Sequence, residues 1–396
     1  AAVLAAAWAC AGCAAPPAAG PVVMPATAPA GPGLSLRDGK LYRNGRPYRG
    51  VGANYYDLFQ RILRNPKDDS TLRGLEALGA AGIPFVRFNA GGFQARDWKL
   101  YLEDKAEFFR RMDLVVRTAE RCNVGLIPSM FWTFVLPDLV DEHRDQWGNA
   151  DSKTIALMRQ VVRDFVTRYK DSPALWAWEF GNELNLALDL PNAQKFRKKG
   201  GTQRDDLTSA HATVMLREFA RAVREHDRRR PVLAGHSHPR FCAWNNTHTR
   251  NWKEDTRQQM VDILLRDNAA TDDVSVHLYG EDANTREMAR WTDMHAGFLR
   301  VVRKTASDAG KILWVGEFGV GLQPDQDEPR CRRIFEDLLA DLERADVDLA
   351  AFWIFDLPNQ PQWTVTPDNA RAWVLHWVAA ANRRWNKLAL QAPPSR

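Results

Sequence analysis

Eight short apolar runs recur along the chain, each followed by a longer segment in which the apolar residues are spaced differently. The runs are continuous rather than alternating, which is typical of strands buried on both faces of a parallel sheet. They lie at residues 48–54, 83–89, 124–131, 175–182, 231–236, 273–279, 311–317 and 349–355. The pattern predicts eight buried parallel strands.

The segments between the runs have helical spacing. Within 102–121, apolar residues fall on one face at intervals of three and four: Phe108, Met112, Val115 and Ala119. Similar segments cover 68–81, 152–170, 208–228, 256–268, 285–309, 330–345 and 367–385. Eight strands alternating with eight helices predict an α/β fold, a single (β/α)8 TIM barrel. An open doubly wound sheet is the alternative, but Gly50–Asn54 (GVGAN) lacks the glycine-rich phosphate turn expected after an early strand.

The segment before the first run carries two turn signals, Asp38-Gly39 and Asn44-Gly45, between short stretches of alternating polarity. Such dipeptides are typical of tight hairpins. We therefore expect a short N-terminal β-hairpin cap, and one catalytic domain over residues 34–396.

The N-terminal segment predicts export. Residues 1–13 (AAVLAAAWACAGC) are small and apolar, like the end of a signal-peptide core, and Ala11-Gly12-Cys13 resembles the end of a bacterial lipobox. Residues 14–33, rich in Ala, Pro and Gly, predict a tether. We expect a secreted or cell-envelope protein, a monomer, with membrane contact only through a lipid on Cys13. Ordinary signal-peptidase cleavage remains the alternative, since Cys10 stands where a lipobox usually has Leu.

The net charge of +5 does not indicate nucleic-acid binding, because basic and acidic residues are mixed along the helical segments. No zinc-finger spacing, RNA-recognition motif or phosphate-binding glycine loop is present in the sequence. The five cysteines form no metal-binding pattern with histidines. We expect no nucleic-acid partner, no metal and no cofactor.

Polar residues stand where the predicted strands end. In a TIM barrel the carboxyl ends of the strands meet on the catalytic face. Ionisable groups that end apolar runs are costly to bury, so they are expected to be paired or functional. These residues are Asn54, Arg87, Asn89, Asn182, Glu183, His236, His277, Tyr279, Glu317 and Trp353.

Two carboxylates on one barrel face fit hydrolysis of a glycosidic bond. One acid must protonate the leaving oxygen, and the other must attack the sugar or activate a water molecule. We expect the acid to have a raised pKa and the other carboxylate to stay ionised. Glu179 lies inside the same strand, four residues before Glu183, and we expect it to be a buried structural carboxylate.

Several motifs in order carry a resemblance. The segments Trp178–Asn185 (WEFGNELN) and Trp314–Gly319 (WVGEFG) resemble the strand-4 and strand-7 signatures of clan A glycoside hydrolases, most closely family 5. Three shorter motifs resemble the same family: His277-Leu-Tyr279, Phe85-Val-Arg87 and Phe352-Trp353. The resemblance spans about residues 36–386.

The resemblance implies roles for these residues. Glu183 would be the general acid/base and Glu317 the nucleophile of a retaining hydrolase. Asn182 would bind the 2-hydroxyl of the sugar. Of the remaining residues, Arg87 and Tyr279 would orient Glu317, His277 would assist Glu183, and Trp353 would form the floor of the sugar site.

Two residues depart from the family pattern. Many members have His at the end of strand 3, where this chain has Ser129, and Pro after the acid/base, where it has Leu184. These departures leave the subgroup open. Six tryptophans fall after predicted strands and are candidates either for stacking on sugar rings or for packing within the loops, whereas Trp176, Trp178 and Trp314 are expected in the core. The six are Trp98, Trp132, Trp147, Trp244, Trp252 and Trp363.

The sequence therefore predicts a retaining hydrolase of β-linked glycans, of β-mannan or β-1,4-glucan type, with polysaccharide or oligosaccharide as its partner. Asn54, His236 and Trp132 are included as further candidates for substrate binding. Two alternatives stay open. One is a lipid-anchored carbohydrate-binding protein without activity, since a fold does not prove function. The other is a transglycosylase that uses the same residues.

Overall fold

The computed structural model describes residues 33–92, 94–280, 292, 294–322 and 327–391. The predicted signal segment and all of the tether but Gly33 lie outside these residues and stay predictions. Within the described part of the chain, no helix combines the length and the apolar character that crossing a bilayer requires.

Eight parallel strands form a nearly closed barrel, which confirms the predicted fold class. An antiparallel hairpin precedes it, formed by β1 (Leu34–Arg37), β2 (Lys40–Arg43) and β3 (Arg46–Pro47). The barrel order is β8-β7-β6-β5-β4-β11-β10-β9. Its strands are β4 (Gly50–Asn54), β5 (Phe85–Asn89), β6 (Gly125–Phe131), β7 (Trp178–Gly181), β8 (Val232–Leu233), β9 (Asp273–Tyr279), β10 (Ile312–Gly319) and β11 (Leu349–Phe352).

Helices surround the barrel at the predicted places, and shorter helices occupy several loops. The main helices are α2 (Ser70–Ala80), α4 (Lys105–Cys122), α6 (Lys153–Tyr169), α7 (Ser209–Arg224), α9 (Arg257–Asp267), α10 (Met294–Asp308), α11 (Glu328–Arg344) and α12 (Trp373–Gln391). The shorter ones are α1 (Leu58–Arg64), α3 (Ala95–Glu103), α5 (Val135–Leu139) and α8 (Ala243–Thr249).

The barrel closes between β8 and β9 largely through side chains. The backbone N–H of Ala234 donates to Asp273 Oδ1 (3.2 Å), and that of His236 donates to Ser275 Oγ (2.7 Å). Gly235 between them has a φ of +74°, so the run predicted at 231–236 stops being a strand after Leu233. At this junction the Asp273 side chain and the Ser275 hydroxyl therefore accept hydrogen bonds that backbone carbonyls accept in a regular sheet.

The amino-terminal end of the barrel is filled by an apolar cluster that includes the hairpin. Leu34 and Leu41 of the hairpin pack with Phe85, Trp176 and Trp314 from inside the barrel. A side chain at Gly125 would meet the Trp176 ring at 2.2 Å, so glycine is required there. The core placement expected for three tryptophans is confirmed, since Trp176, Trp178 and Trp314 are fully buried. The filled end leaves the opposite end for the site.

Candidate active site

Glu317 lies near the end of β10 and is 4% exposed. Its two carboxylate oxygens accept from different donors: Arg87 Nη1 donates to Oε1 (2.9 Å), and the Tyr279 hydroxyl donates to Oε2. Burial and the charge of Glu317 both raise the pKa of Tyr279, so this hydroxyl keeps its proton. The two donors fix the orientation of the carboxylate.

Arg87 lies on β5, and its guanidinium hydrogen-bonds residues on three other strands. Its Nε donates to Glu179 Oε2 (2.6 Å) and its Nη2 to Asn182 Oδ1 (2.8 Å). Nη1 also reaches Asn54 Oδ1 (3.2 Å), and Asn54 in turn donates to the carbonyl of Gly316 (2.9 Å). Glu179 is fully buried, as expected, and also accepts from the Trp314 indole (2.9 Å).

Glu183 follows β7 in the left-handed region, with a φ of +47°. Few residues other than glycine adopt this conformation. Its backbone N–H donates to the carbonyl of Gly235 (2.8 Å), which fixes the turn. The side chain is 29% exposed, so it reaches the open end of the barrel.

His277 contacts both glutamates. Its Nδ1 lies 2.7 Å from Glu183 Oε1 and 3.6 Å from Glu317 Oε2. One atom from each of Glu183, His277 and Glu317 can be chosen so that all three lie within 4.8 Å of one another. Carboxylate oxygens at this separation can contact one sugar ring. The three could also serve as metal ligands, and the expectation of no metal stays a prediction.

The electrostatics of Glu183 differ from the expectation. Burial raises the pKa of its carboxyl, but the hydrogen bond and charge of His277 outweigh burial, so the net shift is downward. The prediction of a raised pKa is therefore wrong. The physical reason is the contact with His277, which holds the pKa of Glu183 below its usual range.

Trp353 and seven other residues, among them Arg87 and Asn182, line an open pocket. The Trp353 indole donates to Gln360 Oε1 (2.8 Å), and its ring meets Tyr56 edge to face with centroids 6.4 Å apart. The lining residues are Asn54, Tyr56, Arg87, Phe88, Asn89, Ser129, Asn182 and Trp353.

A sequence model described as Cellulase (glycosyl hydrolase family 5) matches residues 74–347, which is more than half of the chain. The chain belongs to glycosyl hydrolase family 5. Within the family, it is 29% identical over 143 residues to an Aspergillus clavatus protein described as "Probable mannan endo-1,4-beta-mannosidase A". That match covers 34% of this chain and 37% of the relative, so the chain spans little more than a third of that relative's length.

Solved family 5 structures share the fold at low identity. The endo-1,4-beta-mannanase from Rhizomucor miehei has a TM-score of 0.64 and 16% identity, covering 89% of this chain and 99% of its own. The Thermotoga petrophila endo-1,4-beta-D-mannanase gives 0.60 and 15%, over 84% and 99%. The exo-beta-1,4-mannosidase from an Opitutaceae bacterium gives 0.60 and 18%, over 91% and 64%. These similarities support the barrel.

The prediction that His236 faces the site is wrong for this family 5 barrel. Its Nε2 lies 3.1 Å from the carbonyl oxygen of Asp267, at the end of α9. The turn at Gly235 breaks the strand alternation, and two residues that the sequence argument missed take its place. The Ser237 side chain helps to lower the pKa of Glu183, and His238 Nδ1 lies 3.2 Å from the carbonyl oxygen of His277.

The candidate tryptophans divide into two groups. Trp98 and Trp147 are buried, and their indoles donate to the carbonyls of Gly92 (3.1 Å) and Thr133 (2.6 Å). These two follow the loop-packing alternative, because their loops fold into α3 and a helical turn that pack on the barrel. The other four keep some exposure: Trp132, Trp244, Trp252 and Trp363. The ring of Trp363 lies 5.2 Å from that of Tyr279.

Proposed function

We propose that this protein is a retaining β-glycosidase in which Glu183 is the general acid/base and Glu317 the nucleophile. The observation that supports this proposal is the approach of the two carboxylates, with oxygens within 4.8 Å of each other. Retaining enzymes hold the two groups about 5–5.5 Å apart, whereas inverting enzymes need about 6.5–9.5 Å to admit a water molecule.

The reaction proceeds in two displacements. Glu183 gives its proton to the glycosidic oxygen as a Glu317 oxygen attacks C1, and the C1–O bond breaks with its electron pair on the leaving oxygen. A glycosyl ester on Glu317 results. Glu183, now a carboxylate, then takes a proton from water as the water oxygen attacks C1. The ester bond breaks and Glu317 returns as a carboxylate.

His277 supplies the proton that Glu183 needs. Its Nδ1 lies 2.7 Å from Glu183 Oε1, within hydrogen-bond distance. A bound sugar displaces water and lowers the local polarity, which disfavours separated charges and favours the neutral pair. Transfer from Nδ1 to Oε1 then gives the acid form without any proton from solvent.

The remaining residues bind and orient. Asn182, held by Arg87 (2.8 Å), presents its amide to the 2-hydroxyl of the sugar. Trp353 offers a ring face as the floor of the sugar site. The donors on Glu317, from Arg87 and Tyr279, orient the nucleophile for its attack. The proposed substrate is a β-linked glycan of mannan or β-1,4-glucan type, as the names of its relatives suggest.

The test combines variants with product stereochemistry. Glu317→Ala and Glu183→Gln should each lower turnover roughly 10³-fold or more on the best of a panel of β-mannan, β-glucan, xylan and xyloglucan. Glu120→Gln, at an exposed position on α4, is the matched control. Proton NMR of early products should show the retained anomer. The inverted anomer first, or wild-type turnover by Glu317→Ala, would overturn the assignment.

The same panel separates the alternatives. An inactive binding protein would bind a glycan without releasing reducing ends, and a transglycosylase would release longer oligosaccharides than it was given. No feature of the site favours either, since both carboxylates have their supporting partners.

We also propose that residues 1–13 direct export and that Cys13 carries a lipid. With the protein expressed from its own gene, radiolabelled fatty acid should enter the wild type and the Cys10→Ala control but not Cys13→Ala. Equal labelling of all three would contradict the proposal.

A further inference from the structure

Regular pairing between β7 and β8 ends before the chain reaches Glu183. The pairing runs as far as Glu179 with Leu233, four residues before Glu183. Further along, the backbone N–H of Glu183 donates to the carbonyl of Gly235 (2.8 Å). The φ of +47° at Glu183 is unfavourable for a residue with a side chain, so contacts around it must hold this conformation.

Asn185 continues the connection between the two strands with its side chain. Its Nδ2 donates to the carbonyl of Ser237 (2.9 Å), and its Oδ1 accepts from the backbone N–H of Ser237 (3.1 Å). The amide thus bonds one residue reciprocally, as a backbone unit does in a sheet. Asn185 and Ser237 are 7% and 2% exposed, so these bonds lie away from water, where hydrogen bonds are stronger.

The short helical turn Leu184–Ala187, which follows the acid/base directly, is held by Arg240. The end of such a turn leaves backbone carbonyls without partners inside it. The Arg240 guanidinium donates to three carbonyls there, those of Asn185 (3.1 Å), Leu186 (2.6 Å) and Leu188 (2.7 Å). The loop after β8 therefore supports the loop after β7 at two places, one through an amide and one through a guanidinium.

We propose that Asn185 is a positioning residue, which holds Glu183 where its carboxyl can reach the glycosidic oxygen. This inference rests on the proposed function, in which Glu183 gives its proton to that oxygen. Asn185 acts through the backbone of the loop and not through contact with the sugar. Loss of its two hydrogen bonds would let the loop shift, and a displacement of about 1 Å can lower a rate about 10²-fold.

The nucleophile is held by other contacts. Arg87 and Tyr279, on β5 and β9, donate to the carboxylate of Glu317. Loss of the Asn185 hydrogen bonds should therefore affect proton transfer more than attack at C1. The two can be measured separately, because a weakly basic leaving group departs without a proton, whereas a more basic one requires it.

The experiment compares two aryl β-glycosides of the sugar that the wild type cleaves best. The 2,4-dinitrophenyl group leaves as a stable phenolate, and the phenyl group needs a proton from Glu183. Asn185→Leu should lower kcat/KM about 30-fold for the phenyl glycoside and less than about threefold for the dinitrophenyl glycoside. On the latter, kcat and KM should fall together, because Glu183 is also the base of the second displacement and the glycosyl ester accumulates.

Asn382→Leu is the matched control. From α12, Asn382 bonds Val51 of β4 in the same reciprocal way: Nδ2 donates to the carbonyl (2.8 Å), and Oδ1 accepts from the N–H (2.8 Å). Asn382 is 5% exposed, and Val51 is the second residue of its strand, away from the carboxyl end. Thermal unfolding should show a similar loss of stability in Asn382→Leu and Asn185→Leu, but the control should cleave the two substrates in the wild-type ratio.

Arg240→Lys is the second variant, for the case in which Asn185→Leu does not fold. Lysine keeps the charge but cannot reach three carbonyls at once. The variant should change the ratio of the two rates in the same direction as Asn185→Leu, by about fivefold. Circular dichroism shows which of the two variants is folded and so decides the outcome.

The outcomes separate the positioning role from the proposed function. Glu183→Ala should show the largest difference between the two substrates. If it does, a wild-type ratio in the deciding variant would overturn the positioning role and leave the glycosidase standing. An equal loss on both substrates in Glu183→Ala would overturn the acid/base assignment, and the positioning role with it.

Discussion

At the scale of single residues, the Arg87 guanidinium donates hydrogen bonds to more partners than a lysine ammonium could reach from one place. Its planar guanidinium donates to Glu179, Glu317 and Asn182 in different directions. A lysine ammonium is a point charge without that fixed fork. The residue therefore has two tasks, pairing with the buried Glu179 and orienting Glu317.

The Arg87→Lys substitution should impair both the pairing with Glu179 and the orientation of Glu317. With one carboxylate left without a full partner in a buried position, we expect the free energy of unfolding to fall by about 3 kcal/mol. We also expect kcat to drop at least about 10²-fold. Urea unfolding and steady-state kinetics measure the two effects. Wild-type stability in this variant would show that Glu179 does not depend on Arg87.

The Tyr279→Phe substitution removes one of the hydrogen-bond donors to Glu317. Loss of the hydroxyl on Glu317 Oε2 should lower kcat by about 10² with little change in KM, because the hydrogen bond orients the attacking group. Tyr169→Phe is the control, since it removes a hydroxyl that bonds Asp113 (2.9 Å) on the outer helices. A change in KM alone would assign Tyr279 to substrate binding.

At the scale of elements, the β8–β9 junction depends on a buried acid. Asp273 accepts from the Ala234 N–H, and burial raises the pKa of its carboxyl to about 7. The unfolded chain ionises this group near pH 4. Between about pH 4 and 7 the folded protein therefore holds a proton that the unfolded chain has released, and stability falls as pH rises.

Asp273→Asn should remove that dependence. An amide oxygen still accepts from Ala234 but does not ionise. Relative to wild type, the variant should gain stability from pH 5 to pH 8, at up to about 1.4 kcal/mol per pH unit below pH 7. Urea titrations at both values test this, with the exposed Asp151→Asn as control. Parallel pH profiles for wild type and Asp273→Asn would contradict the expected linkage.

The elements show what the sequence can predict and what it cannot. Apolar runs and helical spacing suffice for eight strands and their order, because burial on both faces leaves a local signal in each strand. Strand-end residues such as Arg87 and Glu317 follow from that order. His236 does not, since the φ of +74° at Gly235 ends the alternation and turns the next side chains. The pKa of Glu183 likewise depends on a contact with His277, 94 residues away along the chain.

At the scale of the whole molecule, the apolar cluster with the hairpin and the two site glutamates lie at opposite ends of the barrel. The hairpin and the tryptophans inside the barrel fill its amino-terminal end. The glutamates occupy the carboxyl end, where loops supply the variable residues. A cavity at the first end should therefore weaken the fold without changing the chemistry.

Leu41→Ala tests this separation. Leu41 is 2% exposed in the hairpin cluster, and truncation of such a residue typically lowers the free energy of unfolding by about 2–5 kcal/mol. Well below the melting temperature, kcat/KM should stay within about twofold of wild type. Thermal unfolding and kinetics at low temperature give the two readouts. A large kinetic defect in a fully folded variant would show that the two ends are coupled.

At Glu183 the backbone is left-handed, with a φ of +47°. This conformation favours glycine for stability, whereas the proposed reaction requires a glutamate. Glycine suits this conformation better than any L-residue with a side chain, by about 1 kcal/mol. Glu183→Gly should consequently give a protein that is inert yet melts at a higher temperature than its parent. Selection for stability alone would then replace the residue at the proposed acid/base position. Only the requirement for catalysis retains a glutamate there.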